Sequence, residues 1–237
     1  MSQILKQIRW QQRYLNLKKS FVHLSSAVSQ NNLNNIELAG LIQFFEITFE
    51  LAWKTMKDYL EAEGINASSP RDVIKQAFAF NVIKQGEIWL DALDKRNLMT
   101  HTYQEEIASY AVNLIKSKYT QLFSDLVNFL ETKIFSTENY GFSLSEFLSM
   151  IHLFTLYPEV ESVKIFGSRA LGNYKPQSDI DLCLMGNINL ELLSKIKTHF
   201  SEKMKLPYSF DVVVYHQITD EAFQTHINSF GKIIYER

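Results

Sequence analysis

The sequence predicts a multidomain α and α+β protein, an antiparallel helical bundle followed by a small α/β domain. Three observations predict it. Apolar residues recur at spacings of three and four through the first half, the period of a helix with one buried face. Beyond Gly141 the pattern changes to short β-type runs interleaved with helical stretches, which indicates an α/β or α+β arrangement. Finally, 237 residues contain only 8 Gly and 4 Pro, too few turn formers for a loop-dense all-β protein.

In the first half, Trp10, Tyr14, Leu17, Phe21, Leu24 and Val28 form one apolar stripe. The Asn-rich stretch from Gln30 to Asn35 is a turn signal. A longer stripe follows through Leu38, Leu41, Phe45, Phe49, Ala52, Met56 and Tyr59, and Gly64 supplies a helix-terminating position. Ser69 and Pro70 provide an N-cap and a first-turn proline. The next helix carries Val73, Ile74, Ala77 and Phe78, and a shorter one starts after Gly86. A last long helix carries Ile107, Ala111, Leu114, Leu122, Leu126 and Phe129. These segments make a bundle of four or five helices over residues 1–135.

Ile134 to Gly141 breaks the pattern and reads as a linker, so the second domain is expected over residues 143–237. There, Val160 to Phe166, Ile180 to Met185, Phe210 to Tyr215 and Lys232 to Tyr235 read as strands. Leu190 to Lys205 and Thr219 to Asn228 read as helices.

Composition limits the function. The chain has 24 Lys+Arg against 26 Asp+Glu, a net charge of −2, which excludes binding to nucleic acid or membrane driven by bulk charge. A hydrophobic fraction of 46% and an aromatic fraction of 13% exclude a disordered chain. The single cysteine, Cys183, excludes a disulfide framework and a multi-Cys zinc site. The polar start MSQILKQIRWQQ carries no signal-peptide pattern, and no apolar run is long enough to span a bilayer. A reduced, cytoplasmic protein without membrane association is expected.

The chemistry is concentrated in KIFGSRALGNYKPQSDIDLCLMG, Lys164 to Gly186. Asp179 and Asp181 are one residue apart, so on a strand both carboxylates leave the same face. Two such carboxylates repel each other unless a cation lies between them, and hard divalent ions such as Mg²⁺ or Mn²⁺ prefer oxygen ligands. Asp211 opens a later strand as a candidate third acid. Acids around Mg²⁺ are what in-line phosphoryl or nucleotidyl transfer needs. Gly167 and Ser168 follow a strand and open a helix, where backbone N–H groups and the Ser168 hydroxyl can donate to a phosphate. Arg169 and Lys175 add positive charge nearby. Each part alone is ordinary, since Asp-X-Asp is common at strand ends and Gly-Ser is a common turn. Their order on these elements is far more specific.

GSRALG followed by SDIDL resembles the signature of minimal nucleotidyltransferases of the DNA polymerase β superfamily. Ten residues separate Ser168 from Asp179, and Asp211 follows on a β-type run. The resemblance implies a polymerase-β-like nucleotidyltransferase domain with Gly167 and Ser168 at the triphosphate of ATP or another NTP. It implies Asp179 and Asp181 as Mg²⁺ ligands and Asp211 as the third carboxylate, which helps to deprotonate the acceptor hydroxyl. Many members carry a second basic residue where this chain has Leu171, leaving Arg169 and Lys175 as the nearby cations.

FFEITFELAWKTMKDYLEAEGI (Phe44 to Ile65) and DKRNLMTHTYQEEIA (Asp94 to Ala108) resemble the HEPN superfamily, specifically the helical proteins named as substrate-binding partners of these nucleotidyltransferases. Arg96 and His101 form its Arg-X4-His pattern, and Tyr103 completes His-X-Tyr. The resemblance implies a homodimer through the helical domain, with Arg96 and His101 at the interface in ribonuclease members. It also implies a toxin–antitoxin arrangement in which AMP is attached to a tyrosine at the position of Tyr103. The competing reading is an ordinary structural contact between helices, with Arg96 ion-paired.

Trp53 and Trp89 sit on apolar faces and are expected in the core, and Cys183 is expected as a packed thiol. His152, His216 and His226 have no ligand spacing. Glu46, Glu50 and Lys54 read as a solvated helix face with an i,i+4 pair. The leading expectation is a nucleotidyltransferase acting on a hydroxyl acceptor, which the sequence leaves open among a protein tyrosine, an RNA and a small molecule. Its rivals are a HEPN ribonuclease toxin restrained by the fused transferase, and a catalytically silent nucleotide-binding protein.

Overall fold

The computed structural model describes residues 3–98, 105–134, 140–204 and 206–237. Contacts divide the chain into two units, Arg9–Ile134 and a second made of Met1–Ile8 with Phe135–Arg237.

The first unit is helical. Helix α1 (Gln3–Val28) buries Trp10, Tyr14, Leu17 and Leu24 of the expected stripe. Helix α2 (Asn35–Ala62) starts at a capping box in which the Asn34 side chain accepts from Glu37 N and the Glu37 carboxylate accepts from Asn34 N. Beyond its end, Gly64 adopts φ +83°, the left-handed conformation expected of a helix-terminating glycine. Helix α3 (Pro70–Ala79) starts at Ser69, whose hydroxyl accepts from Asp72 N. It buries Val73, Ile74 and Ala77, but Phe78 lies half exposed, beyond the edge of the buried stripe.

Helix α4 (Gly86–Leu98) places Trp89 in the core. Helix α5 (Glu105–Leu114) leads through a π turn, Ile115–Tyr119, into α6 (Thr120–Glu131). The single last helix expected from the sequence is therefore broken by a wider turn. The Thr120 hydroxyl donates to Ile115 O at 2.8 Å, which satisfies a carbonyl at that turn. Phe45, Phe49, Trp89, Tyr119 and Phe123 form a ring-against-ring core, and such contacts add to simple area burial. Trp53 departs from expectation: it is only partly buried, and its Nε1 donates to Glu50 at 2.8 Å.

The second unit is a small four-stranded mixed sheet with helices. Helix α7 (Leu144–Thr155) opens on a capping box between Ser143 and Glu146. Strands β1 (Val160–Phe166), β2 (Ile180–Gly186), β3 (Phe210–Val214) and β4 (Lys232–Glu236) lie in the order β3-β2-β1-β4. Strand β1 is antiparallel to both β2 and β4, and β2 is parallel to β3. The short helix α8 (Gly167–Leu171) follows β1, α9 (Leu190–Thr198) and a π turn follow β2, and α10 (Glu221–Phe230) precedes β4. On one side Phe154 packs with Phe200 and Tyr235, and Phe200 stacks on Phe210. Elsewhere in this unit Phe166, Cys183, Phe223 and Ile227 make a smaller cluster. Cys183 is the packed thiol the sequence suggests, and burial pushes its pKa up to about 11.

Candidate active site

The register of three strands positions the acids. In the β2–β3 pair Asp181 lies directly opposite Asp211, and across β1–β2 Asp181 lies opposite Phe166. Parallel pairing with one register therefore brings together residues thirty positions apart in sequence. Asp179 precedes β2, which starts at Ile180 as the sequence reading has it, so Asp179 joins the site from the loop and the same-face alternation of a strand does not extend to it. Asp179 and Asp211 are exposed, while Asp181 is partly buried. Burial pushes the Asp181 pKa up, and the charges of Asp211 and Asp179 push it further, with Arg169 opposing them. Asp181 thus feels the charge of both neighbouring carboxylates. Among the described residues, no three His, Cys, Asp or Glu side chains are already gathered around a point that a metal ion would fill. The acids share a rim without closing into a cage.

Gly167 follows β1 at φ +67°, and a β-carbon there would lie 2.2 Å from Asp181 Oδ2. Only glycine lets the backbone pass this close to the carboxylate while in the left-handed region. Ser168, next in α8, is partly buried. Lys175 is exposed on the loop between α8 and β2, and its N–H donates to Ser178 Oγ at 2.8 Å, tightening the turn that leads into Asp179.

Arg169 requires a correction. The sequence suggests a phosphate-binding cation, but the side chain is fully buried, with 0% exposure. Its Nη1 donates to Tyr140 O at 2.7 Å and its Nη2 to Ser178 O at 2.7 Å. Its Nε is shared between Ser178 O and Asp179 O, both at 3.2 Å. The guanidinium carbon lies 4.7 Å from the Tyr208 ring, 4.8 Å from Phe142 and 5.3 Å from Tyr174. A cation enclosed in this way does not reach a nucleotide.

In the helical unit, Arg96 sits in the last turn of α4, and its Nη1 donates to Glu50 Oε2 at 2.8 Å. Its guanidinium carbon lies 5.8 Å from the Phe49 ring. Glu50 also pairs with Lys54 at 2.7 Å, the expected i,i+4 contact. Burial raises the Glu50 pKa, but hydrogen bonds from Lys54 and Trp53 and the charges of Lys54 and Arg96 outweigh it and hold the carboxyl low. Glu46, one turn earlier, is pushed up by burial despite Arg96. Glu46, Glu50 and Arg96, with Gln43, Ile47 and Leu51, line a groove of about 500 Å³. His101 and Tyr103 lie outside the described residues. Sequence spacing indicates the Glu50–Lys54 pair but not the Glu50–Arg96 contact, because α2 and α4 meet only in the fold.

Residues 12–132 match the family described as nucleotidyltransferase substrate binding protein like. The chain belongs to that family. Residues 149–237 match the polymerase beta nucleotidyltransferase family, so a nucleotidyltransferase domain is fused behind the helical one. Over 76 residues the chain is 37% identical to the probable ribonuclease HepT of Haemophilus influenzae, covering 30% of this chain and 52% of that protein. The chain thus spans about half the length of the curated relative it matches. Among solved structures, a Thermus thermophilus protein is 29% identical, with a TM-score of 0.45 over 47% of this chain and 96% of that one. A Haemophilus influenzae structure, described as the fold of a substrate binding domain of a nucleotidyltransferase, is 26% identical with a TM-score of 0.41, covering 52% and 96%. Among the described residues no helix is long and apolar enough to cross a membrane.

Proposed function

We propose that the C-terminal domain is a Mg²⁺-dependent nucleotidyltransferase that moves AMP from ATP to a hydroxyl acceptor presented by the helical domain. The observation that carries this reading is the β2–β3 register, which sets Asp181 beside Asp211 with the Gly167 backbone against Asp181. What supports a metal here is the chemistry of the donor set: three carboxylates supply hard oxygen donors, and Asp181 is held up first by burial and then by the charges of Asp211 and Asp179, which a cation among them would relieve. Asp179, Asp181 and Asp211 would hold Mg²⁺, which when bound neutralises phosphate charge and favours departure of pyrophosphate.

Gly167 admits the phosphates close to the backbone, and Ser168 donates to them. Lys175 adds charge from the loop. The acceptor oxygen forms a bond to the α-phosphorus, the bond from that phosphorus to pyrophosphate breaks, and Asp211 takes the acceptor's proton. Tyr103 is the acceptor favoured within the chain itself, in cis or across a dimer of helical domains.

Incubating the full chain with ATP labelled at the α-phosphate, alone and in a cell lysate, tests the reading. Label should move to protein, RNA or a small molecule, and the transfer should be lost in Asp179→Asn. Absence of any transfer would defeat it. Mass spectrometry of the labelled chain decides whether Tyr103 carries the adduct.

A second reading is supported by Arg96 in the open α2 groove and by the relative named as a probable ribonuclease. Here the helical domain cleaves RNA with Arg96 and His101, and the transferase restrains it. Expression of the Asp179→Asn, Asp181→Asn variant should then arrest growth, and adding His101→Ala should relieve the arrest. Harmless expression of the first variant would count against this reading.

A further inference from the structure

A buried arginine that forms no ion pair among the described residues needs an explanation, because desolvating a guanidinium is costly unless its donors are satisfied. Among the described residues no acid forms an ion pair with Arg169. Its compensation is backbone carbonyls and ring faces. All three nitrogens donate, to Ser178 O, Asp179 O and Tyr140 O. Tyr208 and Phe142 lie within 4.8 Å of the guanidinium carbon and Tyr174 within 5.3 Å, inside the range where ring quadrupoles attract a cation. These groups belong to three separate loops, around positions 140–142, 174–179 and 208.

The placement of the carbonyls is selective. Two of the three belong to Ser178 and Asp179, the residues that lead into β2 and Asp181. Ser178 is fixed twice more, since its hydroxyl accepts from Lys175 N at 2.8 Å and its own N–H donates to Lys175 O at 2.9 Å. Asp179 lies on a loop, outside the strand ladder, so sheet pairing does not define its carboxylate as it does for Asp181. Arg169 takes the preceding Ser178 carbonyl with both Nη2 and Nε, and the same Nε donates to the Asp179 carbonyl at 3.2 Å.

We propose that Arg169 is a positioning residue for the acidic site: it acts through the Ser178 and Asp179 carbonyls to set the Asp179 carboxylate relative to Asp181 and Asp211. The role rests on the transferase reading for its chemistry but has its own consequence for cation binding. A planar fork held between rings suits arginine, and lysine keeps the charge but neither the bidentate geometry nor the stacking. Arg169 therefore differs from a phosphate ligand, for which charge alone would retain most of the effect.

The test uses the full chain and two readouts. Mn²⁺ binding is titrated by electron paramagnetic resonance with a non-hydrolysable ATP analogue present, and label transfer from ATP is measured alongside. In Arg169→Lys, Mn²⁺ affinity should fall by about ten- to a hundredfold, the usual effect of removing a group that orients a metal ligand. The kcat for transfer should fall by a similar factor while KM for ATP stays within about twofold. An unchanged Mn²⁺ affinity in a folded Arg169→Lys chain would overturn the proposal. So would a raised KM with kcat retained, which marks a direct phosphate contact. Should Arg169→Lys fail to fold, Tyr208→Leu and Phe142→Leu each remove one ring and leave the arginine. They should weaken Mn²⁺ binding at least about threefold, and unchanged binding in both overturns the proposal. A wild-type chain that binds Mn²⁺ without transferring label defeats the transferase reading alone. One that binds no Mn²⁺ defeats both.

Discussion

At Gly167 a φ of +67° and a neighbouring carboxylate act on the same position. A methyl group there meets two penalties. The left-handed backbone costs an L-residue about 1–2 kcal/mol, and Asp181 Oδ2, 2.2 Å from the new carbon, must swing away. The carboxylate end is flexible, so the stability loss in Gly167→Ala should stay near the backbone term. Transfer from MgATP should fall far more, because the displaced group is one of the acids. Urea unfolding and label transfer on the same preparation check this, and retained transfer would count against Asp181 as a metal ligand. Glu46 makes the opposite kind of test. Burial raises its folded-state pKa above 4.5, so the protonated form is the one the fold favours. The stability it contributes is complete below the unfolded value and is lost as pH rises through the folded one. Glu46→Gln should therefore be more stable than wild type near neutral pH, and the two should converge in acid. Denaturation series at about pH 4 and about pH 7 measure the difference.

At the level of elements, β1, β2, β3 and β4 are legible because apolar β-branched runs bounded by polar turns are what a small buried sheet requires. Helix α7 is absent from the elements expected above, although its signal stands in the sequence: Ser143 and Glu146 three apart, then Phe147, Leu148, Ile151 and Phe154. It follows directly on the segment that reads as a linker, which masks the cap. Ser143→Ala should cost about 1 kcal/mol, the usual value of a lost N-cap, and Ser143→Asp should restore most of it. Urea midpoints of the three chains decide. The π turn before α6 is illegible for a different reason. Ile115 and Tyr119 keep their inward positions through it, so the apolar pattern looks the same with or without the wider turn. The acids are legible as a pattern, yet whether Asp211 lies beside Asp181 depends on parallel register, which no local sequence determines. Arg169 shows the limit most sharply. In a short polar segment an arginine reads as an exposed cation, and the rings that enclose it, Phe142 and Tyr208, stand 27 and 39 positions away in the chain.

For the molecule as a whole, each unit has a core of its own. One is the ring cluster of Phe45, Phe49, Trp89, Tyr119 and Phe123, and the other is the sheet with its two apolar faces. The near-neutral overall charge says little about a nucleotide, whose binding depends on a few groups at the end of β1 and at the starts of β2 and β3. Ligand binding stabilises whatever folds with the site, by about 2.7 kcal/mol when free ligand is about a hundred times Kd. Saturating Mg²⁺ with a non-hydrolysable ATP analogue should therefore slow amide hydrogen exchange in β1, β2 and β3. Exchange in α2 and α6 should stay as it was. The Asp179→Asn, Asp181→Asn chain should lose the effect, because the acids, not the backbone alone, make the site selective for a metal-bound nucleotide. Protection that rises equally in α2 would mean the two units open as one cooperative body. Protection that persists in the double variant would place nucleotide binding elsewhere than at these carboxylates.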